Sequence, residues 1–250
     1  MRKEKVQLLR TSWYDALNRM LTQTSLKLTI NSFTQCRIYL NMTVHSKTND
    51  IELSRQEILD AAARAFMEQG FNGTSIDTVA DVLGCTKGRI YYHFKSKADL
   101  FFDVHRTGML LNHDIVKPIA ESDSTPEVRL RMMLAAQTDF ITTYLPYSKV
   151  VVQGVKMHLD ASTTPLQRKT LTSIMDLHRS VEKMFLSVLT EGIRSGVFEK
   201  GDPKIIVKGM LGVINWMTIW YSHRPKNTER DRKKLINEIV DYAMRGVEVR

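Results

Sequence analysis

The chain reads as an all-α protein, an N-terminal three-helix helix-turn-helix domain followed by a C-terminal helical bundle. Three observations predict this. Beyond residue 53, apolar residues recur at spacings of three and four. Most of these stretches open on a Ser, Thr or Asp placed to cap them. Glycines are few (12 in 250 residues), turns are sparse and β-branched runs are short, so nothing suggests a parallel sheet. A chain of this length buries a sizeable core, as one large domain or two modest ones.

The elements follow in order. Ser54-Arg55-Gln56-Glu57 has the spacing of a capping box. It opens a helix with Ile58, Leu59, Ala62 and Phe66 on one face, Asp60, Arg64 and Glu68 on the other, and Gly70 at its end. Thr74 or Ser75 caps a second, short helix carrying Ile76, Val79, Ala80 and Leu83, and Gly84 supplies the turn that follows. Thr86 caps a third helix running to about Phe94, and Ser96-Lys97-Ala98-Asp99 opens a fourth. That helix carries Leu100, Phe101, Val104, Gly108 and Leu111 and ends before Pro118. Thr125-Pro126-Glu127 combines a cap, a first-turn proline and a first-turn acid, ahead of Leu130, Met133, Leu134, Gln137 and Ile141. Residues 147–160 are ambiguous because Val150-Val151-Val152 favours strand locally; the assignment is helix. Thr164-Pro165 starts a long helix ending near Gly196, Asp202-Pro203 the next, and Thr228-x-x-Asp231 the last.

The third helix is short, basic and aromatic. From Thr86 to Lys97 there are four cations (Lys87, Arg89, Lys95, Lys97) and no carboxylate. At about 100° per residue, Ile90 and Phe94 fall together with Tyr91 beside them as an inward stripe. Gly88, Arg89 and Tyr92 fall opposite, with Thr86 and His93 at the border. Such a helix can dock on its partner and still present one face to the major groove. Arg89 can donate two parallel hydrogen bonds to a guanine edge, Tyr92 can reach a base or phosphate, and Gly88 permits close backbone approach. Lys87 and Lys97 are placed for phosphates, which set position while the Arg89 face sets sequence. An arbitrary basic hairpin in a bundle would carry the same cations merely solvated, but the flanking elements argue against that here.

Residues 53–101, with ILDAAARAFMEQGFNGTSIDTVADVLGCTKGRIYYHFKSKADLF at their heart, resemble the DNA-binding domain of the TetR (tetracycline-repressor) family of bacterial transcription regulators. The shared pieces are Gly70-Phe71 ending the first helix, Thr74-Ser75 opening the second, Tyr91 to Phe94 closing the third, and Ser96-Lys97 starting the fourth. The resemblance implies DNA contacts from Thr74, Ser75, Thr86, Lys87, Gly88, Arg89, Tyr91, Tyr92, His93 and Lys97, with Tyr91 and Phe94 mostly packing. Arg89 departs from the family, in which a small hydroxyl or alanine is more usual.

The expected domains are an extension over residues 1–49, a helix-turn-helix domain over 52–112, and an effector-binding and dimerisation domain over 113–250. The fourth helix bridges the last two. The net charge of +9 suggests a polyanionic partner, but residues 1–41 contribute +5 of it and residues 50–100 carry −2, so the basic footprint is local. The first 41 residues are Thr-rich, poor in acids and weakly patterned, and Arg10 and Arg19 interrupt any secretory core. They read as a disordered or upstream extension with the natural start at Met42, or alternatively as a basic DNA-binding arm. Cys36 and Cys85 form neither metal spacing nor a disulfide framework and suit a reducing cytosol. No apolar run approaches the roughly 18 residues of a membrane span. The expected location is the cytoplasm, on the nucleoid.

From Ile205 to Tyr221 apolar residues cover most of a helix circumference, with Gly209 and Gly212 allowing close approach, and Ile236, Ile239, Val240, Ala243 and Val247 line the last helix. The family resemblance implies that these two helices form a homodimer interface, which suits a palindromic operator on double-stranded DNA. It also implies a small-molecule pocket, for which Phe140, Tyr144, Met157, Phe185, Trp216 and Trp220 are the candidates. GMLGVINWMTIWY further resembles members that answer to acyl-CoA or related lipophilic effectors. The expected function is a ligand-released repressor; the alternatives are an activator of the same family or a helical small-molecule-binding dimer without DNA binding. No enzyme is expected. There is no phosphate loop, no Gly-x-Ser-x-Gly elbow and no paired-cysteine site, and the histidines are scattered, with His105, His113, Asp114 and the pair Asp176 and His178 forming no metal pattern. No cofactor and no metal are expected.

Overall fold

Capping chemistry sets most helix starts in the computed structural model, which describes residues 47–159, 164–223 and 228–248. The helices are α1 (Lys47–Gly73), α2 (Ile76–Leu83), α3 (Lys87–His93), α4 (Lys97–Ala120), α5 (Pro126–Thr143), α6 (Leu145–Leu159), α7 (Pro165–Arg194), α8 (Pro203–Asn215), α9 (Met217–Trp220) and α10 (Glu229–Met244). Among the described residues the only extended pairing is one antiparallel bridge, Phe198 to Glu248. The start at Met42 and the extension up to residue 46 lie outside the described residues; residues 47–49 already belong to α1.

Ser75 and Thr78 form a reciprocal capping box on α2, as do Thr164 and Gln167 on α7 and Thr228 and Asp231 on α10. Ser96 accepts from the Asp99 amide and Thr125 from the Val128 amide. The expected box at Ser54 is overturned. α1 begins at Lys47, so Ser54 lies inside the helix with no terminus to cap. Gly70 does end the regular run of α1, at φ 70°. α4 passes through Pro118 and stops at Ala120, because a proline in the last turn of so long a helix forfeits little. The valine run of α6 is helical, with Tyr147, Val150 and Gly154 aligned on one buried stripe.

From Leu53 on, the chain forms one compact unit. α1, α2 and α3 make the head, and α4 runs from the head into the bundle as one helix across residues 112 and 113, inside which the expected domain boundary falls. Phe101 of α4 meets Phe66 and Phe71 of α1 edge-on. The bundle core is built from Leu130, Met133, Leu134, Ile141, Leu171, Ile174, Phe185 and Leu189. α10 is tied to α5 by Arg131 to Asp241 at 2.6 Å and by Arg232, which donates to Asp139 at 2.5 Å and to the Thr143 hydroxyl at 2.8 Å. Burial raises the Asp139 pKa despite the opposing Arg232 charge.

α6 joins head and bundle. The Tyr147 hydroxyl donates to Asp60 Oδ1 at 2.6 Å, Gln56 Nε2 donates to the Tyr147 oxygen at 3.0 Å, and Gln153 Nε2 donates to the Phe66 carbonyl at 2.8 Å. On α6 as well, Gly154 lies against the His105 ring of α4; a Cβ there would stand 2.1 Å from Nδ1.

Candidate nucleic-acid interface

α3 is too short to hold its shape alone and is held by its neighbours. Ile90 is fully buried and Phe94 nearly so, while the Arg55 guanidinium of α1 lies 5.3 Å from the Phe94 ring centre. The turn before α3 closes through Gly84 at φ 69° and the Cys85 amide, which donates to the Ala80 carbonyl at 3.0 Å. With one face pinned, Thr86, Lys87, Gly88, Arg89, Tyr91 and Tyr92 stand in solvent and His93 is half-buried. The Thr86 hydroxyl makes no capping bond. A Cβ at Gly88 would meet only the Thr86 hydroxyl, at 3.7 Å, so the backbone can lie close to a groove edge.

The charges on this face are held by acids of the other two head helices. Arg89 Nη2 donates to Glu57 Oε2 of α1 at 2.9 Å, and Lys87 Nζ lies 3.2 Å from Asp77 Oδ1 of α2. The His93 ring stands edge-on to Tyr92 at 5.0 Å. Its pKa is lowered, first by burial and then by the Arg55 and Arg89 charges.

Three expected contacts change role. Tyr91 is no part of an inward stripe: it is 52 % exposed, beside Tyr92 at 74 %, because Ile90 and Phe94 alone fill the seam. Thr74 is buried and its hydroxyl donates to the Gly70 carbonyl at 2.7 Å and that of Ala65 at 3.1 Å, so it fastens the end of α1. Lys97 is half-buried, its ammonium donating to the Phe71 and Thr74 carbonyls at 2.8 and 2.9 Å and lying 4.6 Å from the Phe71 ring centre. In the free protein it clamps the α1–α2 turn. Ser75 is exposed, with its hydroxyl accepting the Thr78 amide at 3.0 Å.

The six expected effector residues do not come together. Phe140 is buried and stacks on the half-buried Tyr144 at 5.3 Å, Phe185 is full core, and Met157 is half-buried on α6. Trp216 and Trp220 point outward, Trp216 with 64 % of its surface exposed, so neither lines an interior pocket of the protomer. An open groove of about 440 Å³ lies at the start of α7, lined by Pro165, Arg168, Lys169 and Thr172 and by none of the six.

Sequence reasoning missed a pair in the bundle. His105 of α4 and His178 of α7 meet Nε2 to Nε2 at 3.0 Å, and His105 is fully buried. Its Nδ1 has no partner, as is true of Asn112 Oδ1 and Gln137 Oε1. The two histidines are 73 residues apart, so no local spacing reveals them.

Comparison with known proteins follows the same division of the chain. The family model described as "Bacterial regulatory proteins, tetR family" matches residues 58–104, and "Tetracyclin repressor-like, C-terminal domain" matches 123–247. The transcriptional repressor KstR2 of Mycobacterium tuberculosis is 26% identical over 168 residues, 67% of this chain and 80% of that protein. Its structure, described as that of a ketosteroid transcriptional regulator, superposes with a TM-score of 0.67 at 22% identity, covering 83% of this chain and 98% of that one. PfmR of Thermus thermophilus gives 0.63 at 26% identity, over 75% and 97% of the two chains. AibR, solved with isovaleryl coenzyme A and operator DNA, gives 0.62 at 23% identity, over 76% and 97%.

Proposed function

This chain belongs to the TetR family of bacterial transcription regulators, and on that premise we propose that it works as a homodimeric repressor that α3 seats on a palindromic operator and a small effector releases. The observation that carries the reading is the pinned α3: Ile90 and Phe94 anchor one face while Thr86, Lys87, Gly88, Arg89, Tyr91 and Tyr92 present the other. An anchored short helix with an exposed polar, cationic face is what direct reading of a major groove requires.

A second copy is the partner that the last helices call for. Ile205, Trp216, Ile219, Trp220 and Tyr242 are all exposed, and Gly209 and Gly212 open onto space with nothing within 4 Å of a Cβ. A two-fold axis through α8 and α10 would cover that surface and present two copies of α3. The effector reading rests on the bundle and on AibR, whose solved complex holds an acyl-coenzyme A. The buried and unpartnered Asn112 Oδ1 and Gln137 Oε1 would suit the polar portion of such a ligand. Work on the nucleoid, in the cytoplasm, follows from the same reading. Among the described residues no helix is long and apolar enough to cross a membrane.

A gel-shift titration with duplexes flanking the protein's own gene tests the proposal. A discrete, salt-sensitive complex that survives excess unrelated DNA and needs both half-sites is expected. Binding that unrelated duplex competes away at equal concentration would favour a helical ligand-binding dimer without an operator.

A further inference from the structure

Glu57 has the sequence position of a helix-capping acid, yet α1 runs on upstream of it, which leaves that carboxylate without a terminus to serve. It serves α3 instead, taking a hydrogen bond from Arg89 Nη2 at 2.9 Å across 32 residues of sequence. Both side chains are about half exposed, 44% for Arg89 and 54% for Glu57, so the pair sits on the surface that faces solvent beside α3. In water such a pair contributes little to stability. Its effect lies in what it does to the arginine.

An arginine at a groove has two competing uses. It can lay its planar fork on a guanine edge, or swing onto a phosphate, which every sequence offers. A carboxylate bonded to one N–H of the five shifts that balance twice over. It restricts the rotamers open to the long side chain, and it sets a negative charge beside the guanidinium that repels a phosphate from the same edge. The other α3 cation at this face, Lys87, is paired with Asp77 of α2 at 3.2 Å, but as a point charge it has no fork to orient.

We infer that Glu57 is the specificity-determining partner of Arg89: by holding one edge of the guanidinium it makes Arg89 a reader of guanine and not a general phosphate ligand. The inference rests on the DNA-binding reading above. It places a determinant of operator choice on α1, outside the helix-turn-helix itself.

The test is selection from a duplex library with a randomised core, read by sequencing, for wild type, Arg89→Ala, Glu57→Gln, Glu57→Asp and the Glu57→Gln/Arg89→Ala double variant, each checked for native melting. Wild type is expected to enrich a motif with a guanine at two symmetric positions, and Arg89→Ala to lose the preference there alone. Glu57→Gln should keep the rest of the motif but weaken that guanine preference about tenfold, while binding unrelated duplex more tightly with a salt slope steeper by about one. Glu57→Asp should recover part of the preference, and in the Arg89→Ala background Glu57→Gln should leave the motif unchanged. A Glu57→Gln motif identical to wild type, or one weakened evenly at all positions, overturns the inference while leaving DNA binding intact. A wild-type chain that enriches no motif overturns the DNA reading and this inference with it.

Discussion

His105 and Gly154 show how much one missing methyl group can carry. The ring of His105 occupies the space a side chain at 154 would need, so Gly154→Ala must push α6 away from α4 or turn the imidazole. A loss of about 1–3 kcal/mol is expected from such overpacking, read as a lower urea midpoint with unchanged slope. The same imidazole makes stability depend on pH. Burial, with neighbouring positive charge, lowers His105 to about 3 and His178 to about 4 from an ordinary 6.5. The unfolded chain therefore takes up protons near pH 6.5 that the folded chain refuses. Stability is complete above that pH and drains away as pH falls toward about 4. A decline on the order of 2 kcal/mol for each of the two histidines is expected between pH 7 and 5, where carboxylates still hold their charge. Equal urea midpoints at pH 7 and 5 would count against it. Of these residue-scale features, the exposure of Gly88, Arg89 and Tyr92 was legible because Ile90 and Phe94 anchor the opposite side, while Tyr91 was placed inward and stands in solvent. The His105–His178 pair, the Glu57–Arg89 bond and the inward turn of Thr74 were not, because each depends on which distant helix arrives opposite.

At the scale of the element, helix starts were the most legible feature. Capping bonds are local, and Ser75, Ser96, Thr125, Thr164, Asp202 and Thr228 all perform them. The box at Ser54 failed for a local reason too: a cap needs an end, and the chain before it is helical. α6 is the element whose local preference and tertiary setting disagree most. Its valines prefer strand, yet a helix lets Tyr147 and Gln153 reach α1 while Gly154 admits the His105 ring. That makes α6 the physical link between bundle and head. Tyr147→Phe removes the donor to Asp60 and the acceptor for Gln56. A destabilisation of about 1–2 kcal/mol is expected, and hydrogen exchange should quicken along α1 more than along α7. Uniform exchange in both helices would mean that α6 is no link.

For the whole molecule, the faces were legible but their partners were not. The apolar circumference of Ile205–Tyr221 was evident, but sequence cannot tell a core from an exposed apolar surface, and so Trp216 and Trp220 were assigned to an interior pocket. Their exposure in the single chain reverses that assignment. Trp216→Glu should accordingly leave the fold intact, since the side chain touches solvent. It should convert a sedimenting dimer to monomer and lower affinity for a two-half-site duplex at least tenfold, on the order of 1.4 kcal/mol. Analytical ultracentrifugation that finds the variant and wild type equally dimeric would move the interface elsewhere.

The Lys97 clamp has a mechanical consequence. The first residue of α4 grips the turn between α1 and α2 through two carbonyls and an aromatic ring, so the start of the long helix and the corner of the head share one joint. A lever attached at such a joint transmits displacement without bending its load. When the far end of α4 is levered by something settling in the bundle, the head should travel as a rigid plate. The distance between two reading heads would then change, while the shape of each stays as it was.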